Sequence, residues 1–204
     1  MKKVAIVFSL ALGWASFGTM GQANAAGDAA AGKEQTVVCS ACHGADGNSA
    51  VGTFPKLAGL GEKYLTKQLM DIRDGARPIP TMVGQLDGKS DQDLADIAAF
   101  YDSQTRSGGQ TDPALLALGE KVYRGGVAER NVAACAACHS PDGAGVPPQY
   151  PRVSGQHAEY TATQLRAFRA GARNNDVNAM MRMVAARLSE AEIEALAEYI
   201  SGLH

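Results

Sequence analysis

The stretch CSACH, residues Cys39 to His43, returns as CAACH, residues Cys135 to His139. Together the two hold all four cysteines of the chain and two of its four histidines. On a helical turn the positions i, i+3 and i+4 share one face, so both thiols and the imidazole of each copy leave the backbone on the same side. Two thiols so placed can add to the two vinyl groups of a porphyrin while the imidazole reaches its iron. C-x-x-C-H reads as a c-type haem attachment for that reason. The cofactor-binding candidates are therefore Cys39, Cys42, Cys135 and Cys138, with His43 and His139 as iron ligands.

Other uses of the cysteines fit less well. A disulfide within each pair suits an exported protein but leaves the adjacent histidine unexplained twice. A thioredoxin-like site wants strands around it, and no strand alternation is visible. Zinc would need a fourth ligand at a repeated distance, and neighbouring Cys42 and His43 ligate one tetrahedral ion awkwardly.

The repetition extends well beyond the cysteines. A shift of 96 positions lays residues 39 to 77 on 135 to 173 without a gap, and Asp46, Gly47, Pro55, Gly59, Tyr64, Gln68, Arg73 and Arg77 each meet their own residue type. After Arg77 the second copy carries three extra residues, and the register resumes at a shift of 99, bringing SDQDLADIAAF onto SEAEIEALAEY. Two copies indicate a duplicated domain and not a solenoid. The joint falls in the Gly-rich, aperiodic DSQTRSGGQTDP, Asp102 to Pro113. This gives a first domain over 26–104, a linker over 105–112 and a second domain over 113–204.

Residues 1–25 read as a cleaved signal peptide. Lys2 and Lys3 precede a short apolar run, and Ala23-Asn24-Ala25 has the small-x-small form of a cleavage site. The run is interrupted by Ser9, Gly13 and Ser16 and is shorter than a membrane span requires. An exported, periplasmic protein is expected. Loss of the two lysines moves the formal net charge from −2 to −4. The basic residues are dispersed, which argues against nucleic-acid binding.

Within each half the pattern is helical. Ser189 with Glu192, and more weakly Ser90 with Asp93, form capping boxes ahead of apolar positions at i, i+3, i+4 and i+7. Further helices are expected over Asp28–Cys39, Lys63–Gly75, Pro113–Arg124 and Ala158–Gly171. Halves this small, with aromatic residues at only 6% of the composition, have difficulty burying enough apolar surface unaided. A covalently held haem in each would complete the interior.

Iron bound by one histidine needs a second axial group or an open position, and a thioether opposite the imidazole favours the ferrous state. Met82 lies eight residues before the cap Ser90, and of Met180, Met181 and Met183 only Met181 lies eight before Ser189. Met82 and Met181 are the chosen ligands, with Met180 and Met183 left to core filling. His157 stands in the place of Gly61 and His204 ends the chain, so both are assigned to the surface. The repeated FPKLAG and YPRVSG either place the carbonyls of Pro55 and Pro151 as acceptors for the ligating imidazoles or serve as simple turns. Tyr64, Gln68, Arg73 and Arg77, with Tyr160, Gln164, Arg169 and Arg173, are either donors to haem propionates or a solvated helix face.

With VCSACHGADGNS, FPKLAGLGEKYLTKQL, DPALLALGEKVYRGG, FRAGARNND and ISGLH in view, the chain resembles the cytochrome c4 family over essentially all of its mature length. The resemblance implies an all-α fold of two tandem class I cytochrome c domains, each wrapped around a covalently attached haem with His and Met on its iron. It implies a dihaem electron carrier and no catalysis, with redox partners such as a haem-copper oxidase or a quinol–cytochrome c reductase, and peripheral membrane association. A dihaem peroxidase would need one iron that opens to peroxide, which two methionine ligands oppose. An electron-transfer subunit of a larger dehydrogenase is the other alternative.

Overall fold

The computed structural model describes residues 26–203. The expected signal segment and His204 lie outside the described residues.

The first half holds α1 (Ala29–Gln35), α2 (Val37–His43), α3 (Glu62–Arg73) and α4 (Asp91–Asp102). The second half holds α5 (Pro113–Gly125), α6 (Ala136–His139), α7 (Ala158–Arg169), α8 (Met180–Ala185) and α9 (Glu190–Gly202). Among the described residues there is no β-strand, only two isolated bridges, Val127 with Val132 and Val146 with Tyr150.

The cap chemistry of the sequence is present. Asp28 accepts from the N–H groups of Ala30 and Ala31 at the start of α1, and Asp112 precedes Pro113 at the start of α5. Ser90 and Ser189 both form complete capping boxes. The single helix expected over Asp28–Cys39 is instead two, broken at Thr36. The Thr36 hydroxyl and N–H both turn back onto the Lys33 carbonyl, competing with the helical ladder as short hydroxyl side chains do. The break lets α2 carry the cysteines at its own angle.

The same arrangement is built twice. In the first half α1 and α3 pack on α4, and in the second α5 and α7 pack on α9. Each first-to-last helix crossing is at a glycine. A Cβ on Gly32 would lie 1.9 Å from the Asp96 carbonyl oxygen, and one on Gly119 would lie 2.2 Å from that of Ala195, so only glycine admits the approach. Between α5 and α6 the second half spends additional residues on a 3-10 turn, Ala128–Arg130, and the bridge that closes it.

Two separate clusters of buried side chains follow. One contains Leu57, Leu65, Leu69, Leu94, Ile97 and Tyr101, the other Val122, Tyr123, Leu165, Ile193, Leu196 and Ile200. The connection between them is not a free tether. Arg106, 7% exposed, donates Nε–H to the Ala58 carbonyl at 2.7 Å and reaches the Lys56 and Ser154 carbonyls at 3.3 Å. Burial, with the charge of Arg152 nearby adding to it, lowers this guanidinium to about 10. Gly109 N–H bonds the Ser201 carbonyl.

Candidate functional site

The first cysteine motif ends α2, and the second makes up α6 with Cys135 as its N-cap; each is followed by a glycine-containing loop that folds back under it. In the first half Cys39 is half-buried, Cys42 exposed and His43 buried. In the second, Cys135, Cys138 and His139 are all half-buried. All four cysteines are free thiols, so the disulfide reading has no support in the structure. Burial pushes the Cys39 thiol up, and that of Cys135 to about 11. Among the described residues no cluster of His, Cys, Asp and Glu could hold a metal ion such as zinc.

Both histidine rings are fixed in the same way. His43 Nδ1 lies 2.9 Å from the Pro55 carbonyl oxygen, and His139 Nδ1 lies 2.9 Å from that of Pro151. A carbonyl only accepts, so Nδ1 carries the proton and the lone pair is on Nε2, the form in which imidazole ligates iron. Burial holds both imidazoles below the usual histidine range, against the opposing pull of the proline carbonyls. Phe54 and Tyr150 meet the two rings edge-on, with centroids 6.2 and 6.5 Å away.

Met82 ends a 3-10 turn, Pro80–Met82, and packs against the first core. Met181 lies in the first turn of α8 and packs against the second. Its neighbours differ. Met183 is 54% exposed, so the core-filling role expected for it is wrong: it lies on the outer face of α8. Met180 Sδ is 4.0 Å from the Tyr150 hydroxyl. The donor set in each half is thus two free thiols on one helical face, a tautomer-fixed imidazole and a thioether against the same core. That is the set a c-type haem takes.

The repeated Tyr, Gln and Arg positions split into two groups. Arg73 and Arg169 brace their own domains: Arg73 pairs with Asp74 and Asp91 and donates to the Lys89 carbonyl, while Arg169 pairs with Glu190 and donates to the Leu188 carbonyl. The other six meet at the domain interface. Arg77 donates to Gln68 Oε1 (2.9 Å), Tyr160 Oη (2.8 Å) and Gln164 Oε1 (2.9 Å). Arg173 returns the pattern to Gln164 Oε1 (2.9 Å), Tyr64 Oη (3.0 Å) and Gln68 Oε1 (3.0 Å). A solvated helix face is therefore the wrong reading for these six. Burial alone would raise the Tyr64 phenol, but Arg173 and Arg77 beside it hold it below its usual range. Both buried guanidiniums are met by neutral acceptors, which leaves positive charge at the interface. His157 is likewise not a free surface residue, because its Nε2 lies 2.9 Å from the Ser49 carbonyl oxygen of the other domain.

Comparison with known proteins agrees with this duplicated geometry. The cytochrome c family model matches residues 29–105 and again 117–204. The chain is 52% identical to cytochrome c4 of Azotobacter vinelandii, over 93% of this chain and 95% of that one. The crystal structure of reduced recombinant cytochrome c4 from Pseudomonas stutzeri superposes with a TM-score of 0.86 at 52% identity, covering 88% of this chain and all of that one. The chain belongs to the cytochrome c4 family. A thiosulfate dehydrogenase electron acceptor from Stutzerimonas stutzeri (strain A1501) is also similar, 38% identical over 82% of this chain and 79% of that one.

As a cytochrome c4 family member the chain has two tandem cytochrome c domains with two covalently bound c-type haems, and it is a dihaem electron-transfer protein and not an enzyme. The free thiols and the tautomer-fixed imidazoles fit that cofactor in both halves. Among the described residues no helix is long and apolar enough to cross a membrane.

Proposed function

We propose that Cys39 and Cys42 in the first domain, and Cys135 and Cys138 in the second, form the thioether attachments, with His43 and Met82, and His139 and Met181, as the axial iron ligands. The haems supply a one-electron ferric–ferrous couple when bound. The chain's own residues hold it in place: the Pro55 and Pro151 carbonyls orient the imidazoles, and the two apolar cores exclude water, so that a change of oxidation state requires little rearrangement. Arg77 and Arg173, cationic and buried at the interface, are placed to meet propionate carboxylates, and the interface is where electrons pass between the halves. The observation that carries this reading is the duplicated Nδ1–H···O=C bond at 2.9 Å.

The protein then works in the periplasm after removal of residues 1–25, with loose association at the membrane surface. Its domains run over 26–104 and 113–204. Its partners are redox proteins, a quinol–cytochrome c reductase as donor and a haem-copper oxidase as acceptor. The similarity to a protein named as a thiosulfate dehydrogenase electron acceptor favours a second reading in which a dehydrogenase supplies the electrons. Mass spectrometry of the exported protein should give the polypeptide from Ala26 plus two haems, with the oxidised spectrum showing both irons low-spin and methionine-ligated. A bare polypeptide, or half the iron high-spin, would overturn the ligand assignment. Rapid-mixing reduction by thiosulfate dehydrogenase or by a quinol–cytochrome c reductase separates the two donor readings.

A further inference from the structure

The carbonyl that orients His43 belongs to the peptide unit Pro55–Lys56, whose other end is the Lys56 N–H. A peptide unit is planar, so fixing one end aims the other. In this unit the N–H donates to Gln156 Oε1 at 2.8 Å, and Gln156 belongs to the second domain. Gln156 Nε2 also donates to the Lys56 carbonyl at 2.9 Å, which clamps the residue from both sides. Gln156 is 6% exposed. A continuous chain of donors therefore runs across the domain boundary, from His43 Nδ1–H to the Pro55 carbonyl and from the Lys56 N–H to Gln156. Hydrogen bonds in series polarise one another, so an acceptor on the Lys56 N–H makes the Pro55 carbonyl a stronger acceptor for the imidazole proton. A second bridge supports the same loop. His157 donates Nε2–H to the Ser49 carbonyl, and Ser49 N–H holds the His43 carbonyl at 2.8 Å.

The duplication supplies the control. At a shift of 96, Gln156 and His157 correspond to Leu60 and Gly61, neither of which has a side chain able to accept or donate. Among the described residues no side chain of the first domain hydrogen-bonds to Pro151 or Arg152, the counterparts of Pro55 and Lys56; nearby, Arg106 reaches the Ser154 carbonyl at 3.3 Å. The device works in one direction, from the second domain onto the first iron.

We propose that Gln156 is a positioning residue for the proximal ligand of the first haem, acting through the Pro55–Lys56 peptide so that the docked second domain makes His43 more electron-donating and lowers the first haem's potential. The proposal rests on the axial assignment given above. A more basic imidazole favours ferric iron.

The test is a potentiometric titration of the dihaem protein, with the first haem's wave identified as the one displaced by Met82→Ala. Gln156→Leu is expected to move that wave upward, by about threefold in the reduction equilibrium, which at 59 mV per tenfold is about 30 mV, with the other wave in place. Gln156→Glu keeps an acceptor on the Lys56 N–H while losing the donor to the Lys56 carbonyl, so its first wave should stay at or below the unsubstituted value. A packing effect would move both variants the same way. Equal movement of both waves, no movement in Gln156→Leu, or an upward shift in Gln156→Glu would each overturn the proposal. If Gln156→Leu does not accumulate as dihaem protein, the Gln156→Glu wave decides alone. Failure of the axial assignment would show separately, as a Met82→Ala variant that displaces neither wave.

Discussion

Replacing Arg77 and Arg173 by methionine, singly and together, tests the interface through its shared acceptors. In Arg77→Met, Gln68 Oε1 still receives Arg173 Nη2 and Asn175 Nδ2, both at 3.0 Å, and Gln164 Oε1 still receives Arg173 Nη1 at 2.9 Å. The bond lost without replacement is the one to the Tyr160 hydroxyl. In Arg173→Met the unreplaced losses are at the Tyr64 hydroxyl and Asn175 Oδ1. An unsatisfied buried polar group costs about 1–3 kcal/mol, so Arg77→Met should lose about 2 kcal/mol and Arg173→Met, which strands two groups, more than that. The double variant also strips Gln164 Oε1 of both donors. The double variant should therefore exceed the sum of the singles by about 1–2 kcal/mol. Guanidinium denaturation of the dihaem proteins, followed by far-ultraviolet circular dichroism at fixed pH and salt, measures all four corners of the cycle. Additivity within about 0.5 kcal/mol would refute the idea that the two arginines act on common acceptors.

Met181→Ala should turn one of the two irons high-spin, while Met183→Ala, at a 54% exposed position, should leave the visible spectrum almost unchanged; the reverse result would move the ligand. Stability should also fall in acid through Glu192. Burial raises its carboxyl, but the Ser189 N–H and Arg130 more than offset this and hold it below the usual range. A carboxylate with a depressed folded-state pKa contributes stability that is complete above its unfolded value and lost as pH falls through the folded one. Glu192→Gln should therefore cost about 1 kcal/mol at pH 7 and flatten the acid limb of a stability–pH curve. An unchanged acid limb would assign the loss to other carboxylates.

Much of this fold was legible because it is written twice. The repeat located both cysteine motifs, both capping serines and both proline carbonyls, and the spacing to Ser189 picked out the one methionine of three that packs on the second core. What escaped was whatever depends on the two halves touching. Tyr64 and Gln68 have the spacing and polarity of a wet helix face, with Arg77 just beyond its end, and periodicity within one domain does not reveal that the other domain covers them. His157 stands where the first copy has Gly61, and a position at which the copies differ is where the halves can have different tasks. The break at Thr36 was hidden by apolar residues on both sides that continue a helical pattern.

The interface of Tyr64, Gln68 and Arg77 against Tyr160, Gln164 and Arg173 is self-complementary, each half offering the other its own image. That is the contact of a two-fold homodimer, retained here within one polypeptide. A dimer of identical chains must change both sides of its contact at once. Tandem fusion removes that constraint, so one copy can acquire a feature such as Gln156 while the other keeps Leu60, and two otherwise matched redox centres can drift apart in energy without loosening the seam that joins them.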